Sequence, residues 1–445
     1  MAYSSWLDRL GLHRRELRAW ALYDVANSAW MTTVGTTVFP PFFVALATAA
    51  GMGEAVAGSR FAFASSFSVV LVGCIGPLLG AIADFRGNKK AFLGAFVAAG
   101  VIATAAMASI SPGQWVFALV LFILSNVAVF SSLAFYNALL PSIAQPAEVD
   151  RVSTAGFALG YLGGGLLLAV NLLMIQAPTR FFLPDQSAAI RVSFVTVAAW
   201  WALFSVPLFL RVKEPPPRLE SGESGAEGTA GVALRRLRGT FRELRAHRDA
   251  GVMLLAFLVY NDAVNTIIKM GVVFGGLIGI PLSSMMATLV VVQVVGVPFS
   301  FVFGSLADRI GARRAIFVAL AVYVGIAAYA FALRTAAQFL ILGVLVGTVQ
   351  GGAQALGRSL FASLVPRHKA GEMFGFFGVF DRFGGVMGTF VFGVVLLTTG
   401  SPRPAILTLV VFFVLGAFLL SRVDVERGRR LAREAEAVAH EAGAP

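Results

Sequence analysis

Five ionisable side chains lie inside long apolar stretches of the sequence: Asp24, Asp262, Lys269, Asp381 and Arg382. A charge at the centre of a bilayer costs at least about 2.5–3.5 kcal/mol, so such groups usually face a wet cavity or a partner. Lys269 or Arg382 can hold a carboxylate, Asp262 can hold an ammonium group, and the buried aspartates can carry protons. The set therefore indicates a site for a small charged or zwitterionic solute.

Uncharged polar side chains extend this set along the same stretches. Asn265 and Lys269 follow Asp262 at i+3 and i+7, which places all three on one helical face. Two glutamines and an arginine repeat every four residues in a later stretch. The predicted substrate or coupling residues are Asp262, Asn265, Lys269, Asp381, Arg382, Asn27, Gln350 and Gln354. The alternatives are hydrogen bonds between helices and a structural ion network.

The stretches that must position these residues are membrane spans. The chain is 58% hydrophobic and 13% charged, whereas soluble domains carry about 25% charged residues. A spanning helix needs about 20 mostly apolar residues. Twelve stretches qualify, near 19–47, 61–83, 91–110, 114–140, 153–176, 192–210, 250–278, 283–307, 315–333, 335–357, 373–399 and 404–421. The sequence therefore predicts an all-α membrane protein with twelve transmembrane helices.

The basic residues predict the orientation of these spans. Of 35 lysines and arginines, only five lie on the side opposite the termini: Arg60, Arg180, Arg191, Arg334 and Arg403. Because cytoplasmic loops are enriched in Lys and Arg, both termini are predicted to be cytoplasmic. We expect a multi-pass protein of a bacterial inner membrane.

Four segments follow from the spans and loops. Residues 1–210 form a six-helix half, 211–249 a cytoplasmic linker, 250–423 a second half, and 424–445 a cytoplasmic tail. Within the linker, residues 232–248 alternate leucine and arginine at helical spacing, which predicts a basic amphipathic helix on anionic lipid heads. Membrane attachment explains these arginines, so nucleic acid is not expected as a partner.

The two predicted halves repeat one another in sequence. Residues 24–28 (DVANS) recur as 262–266 (DAVNT), and residues 80–90 (GAIADFRGNKK) recur as 304–314 (GSLADRIGARR). Two six-span halves with the same topology are typical of parallel repeats about an axis along the membrane normal. The sequence therefore predicts two pseudo-symmetric six-helix halves.

The charged loops of this repeat are predicted to form a cytoplasmic gate. Such clusters can latch the gate in one state of an alternating-access protein and release it in the other. The alternative is that their positive charges only set topology, although two copies at matched positions favour the gate. The predicted gate residues are Asp24, Asp84, Arg86, Asp308, Arg309 and Arg358.

These motifs resemble those of a known family. The paired loops at 80–90 and 304–314 are similar to the signature loop of the major facilitator superfamily. Residues 20–29 (WALYDVANSA), 156–164 (GFALGYLGG) and 351–362 (GGAQALGRSLFA) resemble the branch that contains the fungal vacuolar effluxer of autophagy-derived amino acids. The resemblance implies a central path lined by helices one, four, seven and ten. It also implies efflux of an amino acid or similar metabolite by alternating access.

Other functions are less well supported by the sequence. The four histidines, at 13, 247, 368 and 440, form no metal-site spacing, and no Gly-rich phosphate loop is present, which disfavours an enzyme. No cofactor is expected, and uphill transport would use an ion gradient, with the proton as the simplest choice. We expect a monomer embedded in membrane lipids. A solute sensor or scaffold that does not transport, or a transporter of lipids or organic anions, remains an alternative.

Overall fold

The computed structural model describes residues 10–214, 248–384 and 386–441. The predicted amphipathic helix at 232–248 lies outside the described residues, apart from Arg248 at the start of a transmembrane helix. The first half contains α1 Arg15–Ala49, α2 Glu54–Arg86, α3 Lys89–Ala106, α4 Trp115–Ile143, α5 Val149–Gln176 and α6 Gln186–Arg211. The second contains α7 Arg248–Leu277, α8 Leu282–Ile310, α9 Ala312–Phe331, α10 Ala336–Leu364, α11 Ala370–Phe383, α12 Val386–Thr399 and α13 Pro402–Ser421. A tail helix, α14, covers Val425–Glu441.

Eleven helices within the described ranges are long and apolar enough to cross a bilayer. The predicted span 373–399 accounts for the twelfth crossing, so the twelve-span, two-half fold is confirmed. The expectation of one continuous helix at 373–399 was wrong, because α11 and α12 are separate helices of 14 residues each. Glycines at 384 and 385 stand between them, and glycine is among the weakest helix formers.

Helix α1 changes its winding near the middle of its length. Residues Trp30–Val38 form a π-helix between two α-helical parts. Pro40 and Pro41 follow after Phe39, and because proline has no N–H, the carbonyls of Thr36 and Thr37 lose their α-helical donors. Within the π-helix, the Thr36 hydroxyl donates to the carbonyl of Thr32, 2.8 Å away. Insertions of π-helix inside α-helices are frequent at functional sites.

The basic loop of each half makes a similar contact with the end of its sixth span, although Arg313 is aligned with Lys89 rather than with Lys90 in the repeat. Lys90, at the start of α3, donates from Nζ to the carbonyls of Phe209 and Val212 at the end of α6, at 3.0 and 2.5 Å. Arg313, at the start of α9, donates to the carbonyls of Ser421 and Val423 at the end of α13, at 2.9 and 2.7 Å. These helix-end carbonyls have no partner within their own helix, so each basic side chain ties the sixth span of its half to the third.

The tail helix α14 is docked onto the second half. Arg427 makes two hydrogen bonds of 2.8 Å to the carboxylate of Asp249, which lies in the first turn of α7. The Asp249 carboxylate raises the pKa of the Arg427 guanidinium. Glu436 accepts a hydrogen bond of 2.8 Å from the backbone N–H of Arg367, just after α10. These contacts join the tail to the ends of two transmembrane helices.

Close helix packing in the first half generates a stability prediction. A Cβ atom added at Gly100 in α3 would lie 2.2 Å from the ring of Trp201 in α6, a side chain with no exposed surface. Overpacking of this kind costs about 1–3 kcal/mol. Gly100→Ala should therefore lower the midpoint of thermal unfolding in detergent by several degrees.

The matched control is Gly325→Ala in α9, where an added Cβ meets no atom within 4 Å. Alanine is the better helix former, so this variant should unfold at the same temperature or slightly higher. Equal melting of the two variants would contradict the packing described between α3 and α6.

Candidate functional site

A cavity of about 720 Å³ lies between the two halves. Its first-half lining includes the aromatic side chains of Trp30, Phe61, Phe122, Phe130 and Phe157 together with polar ones such as Asp24, Asn27 and Asn126. Its second-half lining includes Asn265, Lys269, Gln350, Gln354 and Asp381 beside apolar side chains. Most solute sites combine apolar walls with a few placed polar groups. The cavity therefore combines an apolar surface with charged groups of both signs.

One end of the cavity is sealed by Arg358 of α10. Its side chain crosses into the first half, where Nε donates to Ser153 Oγ at 2.9 Å and Nη2 donates to the Ser153 carbonyl at 2.8 Å. The guanidinium also lies over the rings of Phe157 and Trp20, at 4.5 and 4.9 Å from their centroids. Arg358 is only 4% exposed. We call this sealed region, centred on Arg358 and Ser153, the closed end.

Asp24 of α1 supplies the opposite charge. Arg358 Nη2 lies 3.3 Å from Asp24 Oδ2, and the Tyr136 hydroxyl donates to the same oxygen at 2.9 Å. A Cβ atom at Gly156 of α5 would lie 2.3 Å from this oxygen, so a glycine is needed for the approach. A desolvated pair is stable only when hydrogen bonds satisfy its remaining groups. Tyr136 and Ser153 meet that requirement here.

Further contacts join the halves around the closed end. Arg151 of α5 forms an ion pair with Asp308 of α8. The Ser359 hydroxyl of α10 donates to Asp150 of α5. Ser153 Oγ donates to the Ala355 carbonyl at 2.8 Å. Each of these contacts would have to break for this end of the cavity to open.

The remaining predicted gate residues differ in position. Asp84 is buried and pairs with Lys89 of its own loop at 2.6 Å, whereas its repeat counterpart Asp308 pairs across the halves. Arg86 and Arg309 are exposed at the surface. The structure therefore brings Asp24, Arg358 and Asp308 to the interface between the halves, and their role as a gate stays a prediction.

A chain of side chains connects three helices of the second half. Asn261 Nδ2 of α7 donates to Asp381 Oδ1 of α11 at 2.8 Å. Gln354 Nε2 of α10 donates to Asn261 Oδ1 at 3.2 Å. Asn261 has no exposed surface, while Asp381 and Gln354 line the cavity. The chain fixes the acidic side chain at the cavity wall.

Asp262 is placed differently from the expectation. It is buried and is not among the described residues that line the cavity. Its carboxylate accepts hydrogen bonds from the backbone N–H groups of Met387, at 3.1 Å, and Gly388. The start of α12 therefore uses one acceptor site on each oxygen of Asp262, and the assignment of Asp262 to a solute ammonium group stays a prediction.

The other predicted residues either line the cavity or have side chains outside the described part of the structure. Asn27, Asn265, Lys269 and Gln350 line the cavity. The side chain of Arg382 lies outside the described residues. The cavity-lining residues come from α1, α4, α7 and α10, as the resemblance implied, and also from α2, α5, α8, α11 and α12.

Several residues of the site were not identified from the sequence. Tyr136, Ser153, Arg151 and Asn261 each contact a charged group of the cavity or the closed end. Asn261 directly precedes the Asp262 motif, which was the one available signal. The others lie in segments whose residue types are ordinary for helix ends and interiors.

Two six-helix halves around a charged central cavity, closed at one end by contacts between the halves, define a transporter of the major facilitator superfamily. Solved structures share this fold. The human organic anion transporter MFSD10 superposes with a TM-score of 0.66 at 16% identity, covering 92% of this chain and 99% of that one. The proton:xylose symporter XylE superposes with a TM-score of 0.67 at 15% identity, covering 95% and 96%.

Residues 50–433 match the family described as vacuole effluxer Atg22 like, and the chain belongs to that family. A relative from Bacillus subtilis, described as the uncharacterized MFS-type transporter YxiO, is 36% identical over 420 residues, which is 93% of this chain and 95% of the relative. Autophagy-related protein 22 of Yarrowia lipolytica is 25% identical over 316 residues, 65% of this chain and 52% of its own length. These relatives are transporters, which confirms the prediction that the chain is not an enzyme.

The closed end generates a prediction about Arg358. Lysine keeps the charge but lacks the planar fork that contacts Ser153 and Asp24 together. Arg358→Lys should therefore weaken the contact between the halves, and backbone hydrogen exchange in residues 150–160 and 352–362 should rise at least about tenfold.

The control is Arg430→Lys in α14, where the arginine side chain is 67% exposed and pairs with Glu434 of its own helix. It should leave exchange in both segments unchanged. Unaltered exchange in Arg358→Lys would show that Arg358 does not hold the closed end together.

Proposed function

We propose that this protein moves a small polar solute, an amino acid or a similar metabolite, across the membrane by alternating access. The observation that carries the proposal is the lining of the cavity, where Lys269 and Asp381 of the second half share one cavity with aromatic side chains such as Trp30, Phe122 and Phe130 of the first half. Lys269 is assigned to the carboxylate of a zwitterion and Asp381 to its ammonium group. The aromatic side chains are assigned to the apolar part of the solute.

Alternating access would exchange the contacts of the closed end for contacts at the opposite end. The ion pairs Asp24–Arg358 and Arg151–Asp308 join the halves at the closed end. Ion pairs suit such an exchange, because water replaces their partners when the halves separate. With both termini placed in the cytoplasm, the closed end is the cytoplasmic one, and the cavity faces outward.

A proton is the proposed coupling ion, with Asp24 and Asp381 as its candidate carriers. The family description names an effluxer, and we propose the same direction here, from the cytoplasm of a bacterial cell across its inner membrane. Neither carboxylate is needed as a helix cap, unlike Asp262.

The experiment is uptake and counterflow in proteoliposomes that contain the purified protein, with a panel of amino acids, sugars and organic anions. Counterflow of an amino acid would support the proposal. Transport of organic anions alone would favour an organic-anion transporter instead, since the basic residues Arg358 and Lys269 both line the cavity. Saturable binding without counterflow of any solute would favour a sensor or scaffold instead.

Lys269 generates the first prediction of this proposal. Truncating one partner of a buried charge pair typically costs 2–5 kcal/mol. Lys269→Ala should therefore weaken binding of the transported zwitterion roughly thirtyfold or more, as measured by titration of purified protein. Lys213→Ala, which removes an exposed lysine after α6, is the matched control and should bind normally. Equal affinity of both variants would remove Lys269 from the site.

Asp381 generates the second prediction. If the Asp381 carboxyl carries the coupled proton, an amide at this position cannot take it up or release it. Asp381→Asn should then still mediate counterflow, while its uptake no longer responds to an imposed pH gradient. A pH response equal to that of the parent protein would assign the proton to another carboxylate.

A further inference from the structure

The start of α12 lacks a capping side chain of its own. The first N–H groups of a helix have no partner within it and need acceptors from elsewhere. The residue that normally supplies one is a Ser, Thr, Asp or Asn just before the helix, but both residues between α11 and α12 are glycine. Asp262 of α7 provides the acceptors instead, through its bonds to Met387 and Gly388.

Asn261, the residue before Asp262, contacts α11 on the other side of the same break. Asn261 donates to Asp381, which lies in the last turn of α11. Asn261 and Asp262 of α7 therefore fix both helices that meet at Gly384. Asn261 contacts the side chain of Asp381 in α11, and Asp262 contacts the backbone of α12. The position of Asp381 at the cavity depends on this pair of contacts.

Asp24, the equivalent aspartate of the first half, does not cap a helix. Asp24 packs against Gly156 of α5 much as Asp262 packs against Gly388 of α12; an added Cβ would lie 2.3 Å and 2.6 Å from the respective carboxylate oxygens. Helix α5 is continuous through this region, so its N–H groups are used within the helix. Asp24 accepts from Tyr136 and Arg358 instead.

We propose that Asp262 is a positioning residue for the cavity. It fixes the break between α11 and α12 against α7, and so sets where Asp381 faces the solute, without contacting the solute itself. The two copies of the duplicated motif therefore have different roles. Asp24 forms hydrogen bonds across the halves, whereas Asp262 keeps its hydrogen bonds within the second half in every state of the transport cycle. The link to solute binding rests on the proposed function, while the cap itself does not.

The first test is backbone hydrogen exchange of purified protein in nanodiscs. Asp262→Asn keeps one acceptor oxygen but loses the charge, and the loss of a helix cap shifts the local equilibrium roughly fivefold. Exchange in residues 386–392 should rise by about that factor, with no change in residues 156–164. Asp24→Asn is the matched control and should leave residues 386–392 as they are. Unchanged exchange at 386–392 in Asp262→Asn would overturn the proposal, whether or not any solute is found.

Gly388→Ala tests the same contact from the other helix and leaves the carboxylate in place. Its Cβ would displace α12 from Asp262 and Thr266, so exchange in residues 386–392 should rise in this variant too. Because both changes break one contact, their effects should not add in the double variant. Additive effects would overturn the shared mechanism, and this variant remains informative if Asp262→Asn folds poorly.

A transport measurement separates positioning from proton transfer once a solute is known. Both variants should raise the solute KM about fivefold, with little change in kcat and with the pH profile of the parent protein. If Asp262→Asn instead abolishes the pH dependence while Gly388→Ala preserves it, Asp262 is a proton carrier and the proposal is wrong. Absence of transport in the parent protein would count against the proposed function alone, because the exchange measurement decides the cap independently.

Discussion

The guanidinium group of Arg358 has five N–H donors and a charge that proteins do not neutralise. Buried between two helix bundles, it needs acceptors on several sides. Asp24, Ser153 and Asn137 of the first half supply them, while Trp20 and Phe157 cover its face. Because removing one partner leaves a buried charge without compensation, the two halves stay together at this end as long as no other arrangement satisfies Arg358.

Duplication explains which contacts recur and which have changed. Lys90 and Arg313 hold the end of the sixth span of their own halves in a similar way, from neighbouring rather than equivalent positions of the repeat. The paired aspartates have diverged, because an unbroken α5 offers Asp24 no backbone donors while a broken span offers them to Asp262. The contact between the third and sixth spans is therefore similar in the two halves, whereas the contacts of the paired aspartates next to the cavity differ.

Hydropathy and the internal repeat predict the spans, their grouping into halves and the residues of the cavity wall, because each depends on local composition. Asp24 and Arg358 were identified separately as gate residues, but their mutual contact spans 334 positions in the chain and has no periodic signature. The break at Gly384 was missed because a Gly pair in an apolar stretch equally indicates close packing. The contacts of Asp262 with α12 were missed for the same reason: without the break, the sequence shows no backbone donors for this carboxylate.

The docked tail also constrains how the molecule is made. Asp249 lies in the first turn of α7, but its partner Arg427 follows 178 residues later, so every transmembrane helix of the second half is synthesised before this pair can form. The contact between α7 and the tail is therefore made after the last span of the second half. A chain that stops at the end of α13 would contain all its spans but would leave the ends of α7 and α10 without their final partners.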